Sequence, residues 1–100
     1  MPHSSMYAAI HEEVRQAFER SMNSPVLVAV TGWQVGFRKV SHTHALQQLT
    51  GMSLASAKAA TDAVLDGRPV QVLVHGPVAA AKLAAALREL GALVQLPSEA

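Results

Sequence analysis

Residues 70–96 read VQVLVHGPVAAAKLAAALRELGALVQL, a short alternating run, an alanine-rich run and a second short apolar run. Every second residue at the start of the first run is valine, which places the valines on one face of a β-strand. Gly76-Pro77 then favours the start of a helix, because proline is well tolerated in the first turn. The stretch predicts a strand over 70–74, a helix over 79–90 that ends at Gly91, and a strand over 92–96.

The remaining predicted elements precede this stretch. Residues 26–30, VLVAV, are short, apolar and rich in β-branched side chains, as is typical of a central strand. Two helices are predicted next, over 38–48 and 54–65, and Thr50-Gly51 separates them. Nearer the N-terminus, apolar residues recur every three or four positions and predict an amphipathic helix of about four turns. These residues are Tyr7, Ile10, Val14, Phe18 and Met22.

The predicted elements follow the order helix, strand, helix, helix, strand, helix, strand, with short connections. This order favours an α+β two-layer sandwich, in which a three-stranded antiparallel sheet carries helices on one face. We expect residues 25–100 to form this domain and residues 1–24 to add the amphipathic N-terminal helix.

Composition narrows the class of protein. The chain has 100 residues, of which 50% are hydrophobic and 15% are charged, so we expect one folded domain with a core of small aliphatic side chains. A formal net charge of +1 is too small for a nucleic-acid footprint, and the absence of cysteine excludes disulfide and thiol chemistry. No apolar run is long enough to span a membrane, and no signal-peptide pattern is present. We expect a cytoplasmic protein that binds neither nucleic acid nor membrane.

From Lys39 onward the chain resembles a known bacterial family. The run Leu49-Thr50-Gly51-Met52-Ser53-Leu54, followed by Ala57-Lys58, is similar to the turn between two helices in the C-terminal domain of the ribosomal stalk protein of the L-seven/L-twelve type. Lys39-Val40 and Ala45-Leu46 keep the spacing of that family. The resemblance covers about residues 26–96. It implies the stalk-domain fold and a protein-binding role associated with translation.

The resemblance also implies where a partner binds. In the stalk family the binding face is basic on the first helix of the domain and at the start of the second. Lys39, Val40 and Lys58 match that face, whereas His44 and Gln47 stand where the family has lysine and arginine. The resemblance implies an acidic protein partner, first of all a translation factor or a ribosomal protein. The residues implied are Arg38, Lys39, Val40, His44 and Lys58.

The ClpS-type protease adaptor shares this fold, and the middle of the chain is similar to it as well. A Gly-Met pair after a helix, a glycine near Gly67 and a strand near Val72 recur there. This second resemblance implies a different partner, a protease chaperone. The adaptor holds the N-terminus of its substrate with an Asn-Asp pair and a histidine. This chain has Thr31-Gly32-Trp33 and Leu65 at about those positions.

His42 and His44 form a His-x-His pair, which on a strand would present both imidazoles on one face for a metal ion. On the predicted helix the two side chains diverge by about 200°. No third ligand lies nearby in the sequence. We therefore expect ordinary surface or half-buried imidazoles and no metal, and a His-based metal binder or small enzyme is the alternative.

Other catalytic patterns fail on spacing. Gly32, Gly36 and Lys39 do not have the separation of a phosphate-binding loop. Asp62 and Asp66 lie four apart on one helix, a spacing typical of a solvated helix face. Nothing in the sequence supplies a nucleophile activated by a base. We expect a non-catalytic protein without a cofactor.

Trp33, Val35 and Phe37 alternate in the predicted loop after the first strand. Large apolar side chains on a loop suit a contact with a protein partner, because aromatic residues dominate interface energetics. They equally suit a cap over the edge of a core that has few aromatic residues. The sequence leaves both roles open.

A three-stranded sheet with helices on one face leaves its other face uncovered. Val70, Val72 and Val74, or the residues that alternate with them, would form an apolar patch there. The N-terminal helix or a second subunit would cover such a patch. We expect a homodimer in which Tyr7, Ile10, Val14, Phe18 and Met22 make the contact, and folding of this helix onto its own sheet is the alternative.

Overall fold

A computed structural model describes residues 14–16 and 22–97. The elements follow the order β1 (Pro25–Trp33), α1 (Lys39–Thr50), α2 (Leu54–Leu65), β2 (Val70–His75), α3 (Pro77–Glu89) and β3 (Ala92–Gln95). Residues 14–16 are helical as well and lie within the predicted N-terminal helix, which stays a prediction. Most of that helix, including Tyr7, Ile10 and Phe18, lies outside the described residues.

The three strands form one antiparallel sheet in the order β2-β1-β3, which confirms the predicted α+β class and its three-stranded antiparallel sheet. β1 lies in the centre, and its first six residues pair with β2, so that Val28 lies opposite Val72. The second half of β1 pairs with β3 across an irregularity between Val30 and Gly32.

The helices cover one face of the sheet, and the core lies between the two layers. Val28 and Val30 of β1 point into this core, whereas Leu27 and Ala29, which alternate with them, point to the opposite face. Val72 and Val74 are buried in the same core, so the uncovered face consists of the residues that alternate with them. The core is built from small aliphatic side chains, as the composition predicts: Val28, Val30, Leu46, Ala57, Val64, Val72, Val74, Ala80, Leu83, Leu87 and Ala92.

The bounds of the elements correct the sequence prediction in one place that matters for the site. β1 continues to Trp33, beyond the predicted end of this strand at Val30, so residues 31–33 belong to the strand and the prediction of a loop is wrong for them. Gly32 is paired with Leu93 of β3, and a glycine inside a strand marks a close approach rather than a turn. The bounds of α2 agree with the prediction. Among the described residues, no helix has the length and hydropathy that crossing a lipid bilayer requires.

Candidate functional site

α1 and α2 form a helical hairpin that carries the predicted partner-binding residues. Gly51 ends α1 in the left-handed region, with φ of 75°, and its N–H donates to the carbonyl oxygen of Gln47. The hydroxyl oxygen of Ser53 accepts a hydrogen bond of 3.1 Å from the N–H of Ser56 and caps α2. The short connection between these caps brings the two helices side by side in opposite directions.

A groove of about 210 Å³ lies between the two helices, and we call it the α1–α2 groove. Pockets that enclose drug-sized ligands measure roughly 300–1,000 Å³, so this groove suits single side chains of a protein partner better than a whole small molecule. The residues that line it are Lys39, Val40, Thr43 and His44 of α1 and Leu54, Lys58, Thr61 and Asp62 of α2.

The groove combines apolar walls with a charged rim. Val40 and Leu54 are large aliphatic residues that remain mostly exposed, one on each helix. Lys39 and Lys58 place ammonium groups at the same groove, and Asp62 adds one carboxylate. Such a surface offers contact to an apolar group that carries acidic neighbours.

The first turn of α1 adds positive potential at this end of the groove. Arg38 and Lys39 stand at the helix N-terminus, where no side chain caps the backbone and no acidic residue occupies the first turn. The unpaired N–H groups at a helix N-terminus carry partial positive charge and favour anions. Two cations and the helix end therefore act in the same direction.

The structure brings together four of the five residues that the stalk resemblance implies. Lys39, Val40, His44 and Lys58 line one groove. Arg38 is outside its lining, because it precedes α1 and its backbone N–H donates to the carbonyl oxygen of Leu90 at 2.9 Å.

Under the groove lies a cluster of buried polar side chains. The hydroxyl of Thr43 is 3.0 Å from the carbonyl oxygen of Lys39 and 2.9 Å from the hydroxyl oxygen of Thr61. Thr61 in turn lies 2.8 Å from Nδ1 of His42 and donates to the carbonyl oxygen of Ala57 at 3.0 Å. Thr43 and Thr61 also line the groove, so its floor rests on this hydrogen-bonded cluster.

His42 belongs to this cluster, and the expectation of a surface or half-buried imidazole is wrong for it. Its side chain is 0% exposed, because it lies one turn before the buried Leu46 on the inner face of α1. Burial lowers the pKa of His42 from 6.5 to about 4, so the ring is neutral at pH 7. His44 points outward and is exposed, as the helical spacing predicts.

The hydrogen bonds identify the tautomer of His42. Nε2 is buried and has no hydrogen-bond partner in the described part of the chain. With the proton on Nδ1, His42 donates to Thr61, and Thr61 donates onward to Ala57. With the proton on Nε2, a buried N–H would have no acceptor, which costs free energy. We infer that the ring is held as the Nδ1–H form.

The two histidines therefore do not act as a pair. One ring is enclosed between the helices and bonded to Thr61, and the other faces solvent. Over residues 14–16 and 22–97, no group of three or more His, Asp or Glu side chains is arranged to hold a metal ion.

Trp33, Val35 and Phe37 have three different surroundings. Trp33 ends β1, is about half exposed, and its Nε1 donates to the carbonyl oxygen of Leu65 at the end of α2. Phe37 is half-buried, packs against the core and lies with its ring centre 5.0 Å from that of His42. Val35 is 99% exposed. The partner contact predicted for this segment stays a prediction.

Sequence analysis missed half of the groove. Thr43, Leu54, Thr61 and Asp62 line it but were not assigned to the binding face. Helical spacing was the available signal: Leu54, Lys58 and Thr61 follow each other at four and three residues, on one side of α2.

Comparisons of the chain with protein-family models, with curated proteins and with solved structures find no match. The chemistry of the α1–α2 groove consequently rests on its own residues. Its lining combines two lysines and one aspartate with the aliphatic side chains of Val40 and Leu54 and the hydroxyl groups of Thr43 and Thr61.

Proposed function

We propose that this chain is a non-catalytic protein-interaction domain that binds an acidic protein partner in the α1–α2 groove. The observation that carries the proposal is the position of Lys39 and Lys58. They come from different helices and line one groove together with Val40 of α1 and Leu54 of α2. A partner segment with an apolar side chain next to carboxylates complements this arrangement in shape and charge.

The charge distribution of the domain supports an acidic partner. Residues 25–97 contain six lysines and arginines against three acidic residues. The positive end of α1 adds to this excess beside the groove. A field of one sign accelerates the approach of an oppositely charged partner, and the effect weakens as the salt concentration rises.

Ion pairs and apolar contacts at the groove contribute differently to the free energy of binding. An exposed ion pair contributes about 0–1 kcal/mol, so Lys39 and Lys58 supply orientation and rate of association more than affinity. Complete burial of a valine or leucine contributes about 1.5–3 kcal/mol, and Val40 and Leu54 still expose most of their surface. We expect apolar contacts to carry most of the affinity and the lysines to select the partner.

The resemblance to the ribosomal stalk C-terminal domain supports a partner associated with translation, a translation factor or a ribosomal protein. In that family the corresponding helix face is the one that binds partners, and Lys39, Val40 and Lys58 occupy matching positions.

Capture of partners from a lysate of the source organism tests the proposal. The bait is the full chain, as wild type, as Lys39→Glu with Lys58→Glu, and as single Lys58→Glu. Lys82→Glu is the matched control for the single variant, because it makes the same charge change on the exposed side of α3. Captured proteins are quantified by mass spectrometry, and urea unfolding verifies that each bait is folded.

We expect translation GTPases or ribosomal proteins to be retained by wild type and by Lys82→Glu and to be lost from the double variant. Equal capture by all four baits would show that the basic rim is not the binding site. If a hexameric protease chaperone is retained by wild type and by Lys82→Glu and lost from the double variant, the result would support the adaptor function in place of the translation-associated one.

A further inference from the structure

The sheet face opposite the helices carries exposed leucines on all three strands, and we call it the open face. Leu27 of β1 lies directly opposite Leu73 of β2, and they are 46% and 53% exposed. Leu93 of β3 is 40% exposed and lies opposite Gly32. Large contiguous apolar patches are rare on monomeric proteins and mark interaction surfaces.

The strand residues of the open face carry no full charge, and Arg88 of α3 borders this face at β3, where it lines a cleft with Thr31, Leu93 and Gln95. The remaining strand residues of the open face are Ala29, Thr31, Gln71, His75 and Gln95, and none of them is lysine, arginine, aspartate or glutamate. Natural sheets commonly protect exposed strands with charged side chains. The apolar surface also continues past Leu27 into a cleft of about 410 Å³ that Pro25, Pro77 and Pro97 help to line.

A second exposed apolar side chain, Val14, lies before the domain. Val14 is helical and 65% exposed. It stands in the middle of the apolar stripe that the sequence predicts from Tyr7 to Met22. Ser24, which directly precedes β1, is held to the domain by a hydrogen bond of 2.7 Å from the N–H of Gly76 to its carbonyl oxygen. The described part of the chain therefore leaves the Val14 side chain uncovered.

We propose that two copies of this chain form a dimer by exchange, in which the helix around Val14 of each copy packs across the open face of the other. A two-fold arrangement makes both contacts identical and covers two kinds of apolar surface at once. The lengths agree, because the 16 residues of the predicted stripe from Tyr7 to Met22, most of which lie outside the described residues, would extend about 24 Å as a helix, and the nine strand residues of β1 extend about 30 Å.

The other ways to cover these surfaces each leave one of them exposed. Pairing of two N-terminal helices would bury Val14 and leave Leu27 and Leu73 exposed to water. Pairing of two open faces would bury Leu27 and Leu73 and leave Val14 exposed. An acidic partner suits the lysines of the α1–α2 groove on the helical side of the domain, whereas the described strand residues of the open face include no lysine or arginine. The exchanged dimer is independent of the proposed groove function.

The mass of the full chain in solution, measured by light scattering after size exclusion, is the first test. We expect a dimer for wild type and monomers for Val14→Asp and for Leu73→Asp. Val35→Asp is the matched control, because Val35 is 99% exposed and belongs to neither surface, so this variant stays dimeric. Far-UV circular dichroism and urea unfolding establish that each monomeric variant is folded; Leu27→Asp replaces Leu73→Asp if that variant does not fold.

Cross-linking distinguishes exchange from the other dimers, and the chain has no cysteine of its own. Purified Val14→Cys and Leu73→Cys chains are mixed and treated with a short thiol-reactive cross-linker. We expect a mixed dimer linked between positions 14 and 73, identified by peptide mass spectrometry. Links only between two copies of position 14, or only between two copies of position 73, would overturn the proposal. A monomeric wild type at every concentration up to the solubility limit would overturn it as well.

Discussion

The Nδ1 atom of His42 lies 2.8 Å from the hydroxyl oxygen of Thr61, and both side chains are buried between α1 and α2. Thr61 connects this imidazole to Thr43, whose hydroxyl is 2.9 Å away. Both threonines line the α1–α2 groove. The candidate binding surface therefore rests on a buried polar cluster that contains one titratable ring.

Lowering the pH is expected to destabilise the protein through His42. Burial lowers the pKa of this ring in the folded state to about 4, against 6.5 in the unfolded chain. Between these values the unfolded state binds more protons than the folded state, so the free energy of unfolding falls as the pH falls. The contribution is complete above pH 6.5, and about 2 kcal/mol of it is lost between pH 7 and pH 5. Urea unfolding at a series of pH values measures this loss.

His42→Asn isolates the contribution of His42 to the loss of stability at low pH, because asparagine keeps a donor near the position of Nδ1 and does not titrate. We expect this variant to be less stable at pH 7 and to lose roughly 2 kcal/mol less than wild type on acidification to pH 5. His44→Asn is the matched control, because it makes the same substitution on the exposed side of α1. An unchanged pH dependence in His42→Asn would assign the acid sensitivity to other groups.

Removing the hydroxyl of Thr61 is expected to destabilise the domain by about 1–3 kcal/mol, because Thr61→Val leaves the buried Nδ1–H of His42 without an acceptor. Thr31→Val removes a hydroxyl that is exposed and bonded to the carbonyl of Leu93 at 3.3 Å, so its effect stays within about 0.5 kcal/mol. Urea unfolding at pH 7 compares the two.

A double variant tests whether His42 and Thr61 depend on each other. When both partners of a buried hydrogen bond are replaced by apolar groups, no polar atom is left unpaired. His42→Leu with Thr61→Val should therefore cost less than the sum of the two single changes. Strictly additive losses would contradict the hydrogen bond between them.

Periodicity in the sequence was sufficient to predict most of the fold. The alternation of valines in β2 and the alanine-rich helix after Gly76-Pro77 correspond to real elements, because local pattern and tertiary packing agree there. The end of β1 could not be predicted in this way. Gly32 has the character of a turn residue, and only its pairing with Leu93 on a neighbouring strand keeps it extended.

The site was predictable only in part. The resemblance to the ribosomal stalk domain predicts Lys39, Val40 and Lys58 as binding residues. Helical spacing adds Leu54, which lies four residues before Lys58 on α2. The burial of His42 could not be predicted from α1, whose apolar pattern is weak, because histidine is found at intermediate burial in proteins. The polar cluster beneath the groove forms only when Thr61 of the next helix meets this ring.

Gly76→Ala is expected to be strongly destabilising. Gly76 has φ of 100°, and an added Cβ would lie 1.7 Å from the carbonyl oxygen of Met22, so the backbone would have to move. Gly36→Ala is the matched control, because Gly36 has φ of 94° and nothing within 4 Å of an added Cβ. We expect about 1–2 kcal/mol for Gly36→Ala from the backbone conformation alone and a larger loss for Gly76→Ala. Equal losses in thermal unfolding would show that the contact with Met22 is not maintained in solution.

Substitutions of Val35 and Phe37 test whether the segment after β1 contacts a partner or only packs against the core. Phe37→Ala should lower the free energy of unfolding by roughly 2 kcal/mol, because the half-buried ring packs against the core and against His42. Val35→Asp should stay within about 0.5 kcal/mol of wild type, since its side chain is 99% exposed. Urea unfolding is followed by circular dichroism and by fluorescence of Trp33, the single tryptophan.

The same two variants then serve as baits for partner capture. If the segment contacts a partner, Val35→Asp retains less of it than wild type while its stability is unchanged, because a carboxylate on this tip repels an acidic surface. Full retention by Val35→Asp would limit the segment to its packing role. A Phe37→Ala variant as stable as wild type would contradict that role, because it would place the ring outside the core.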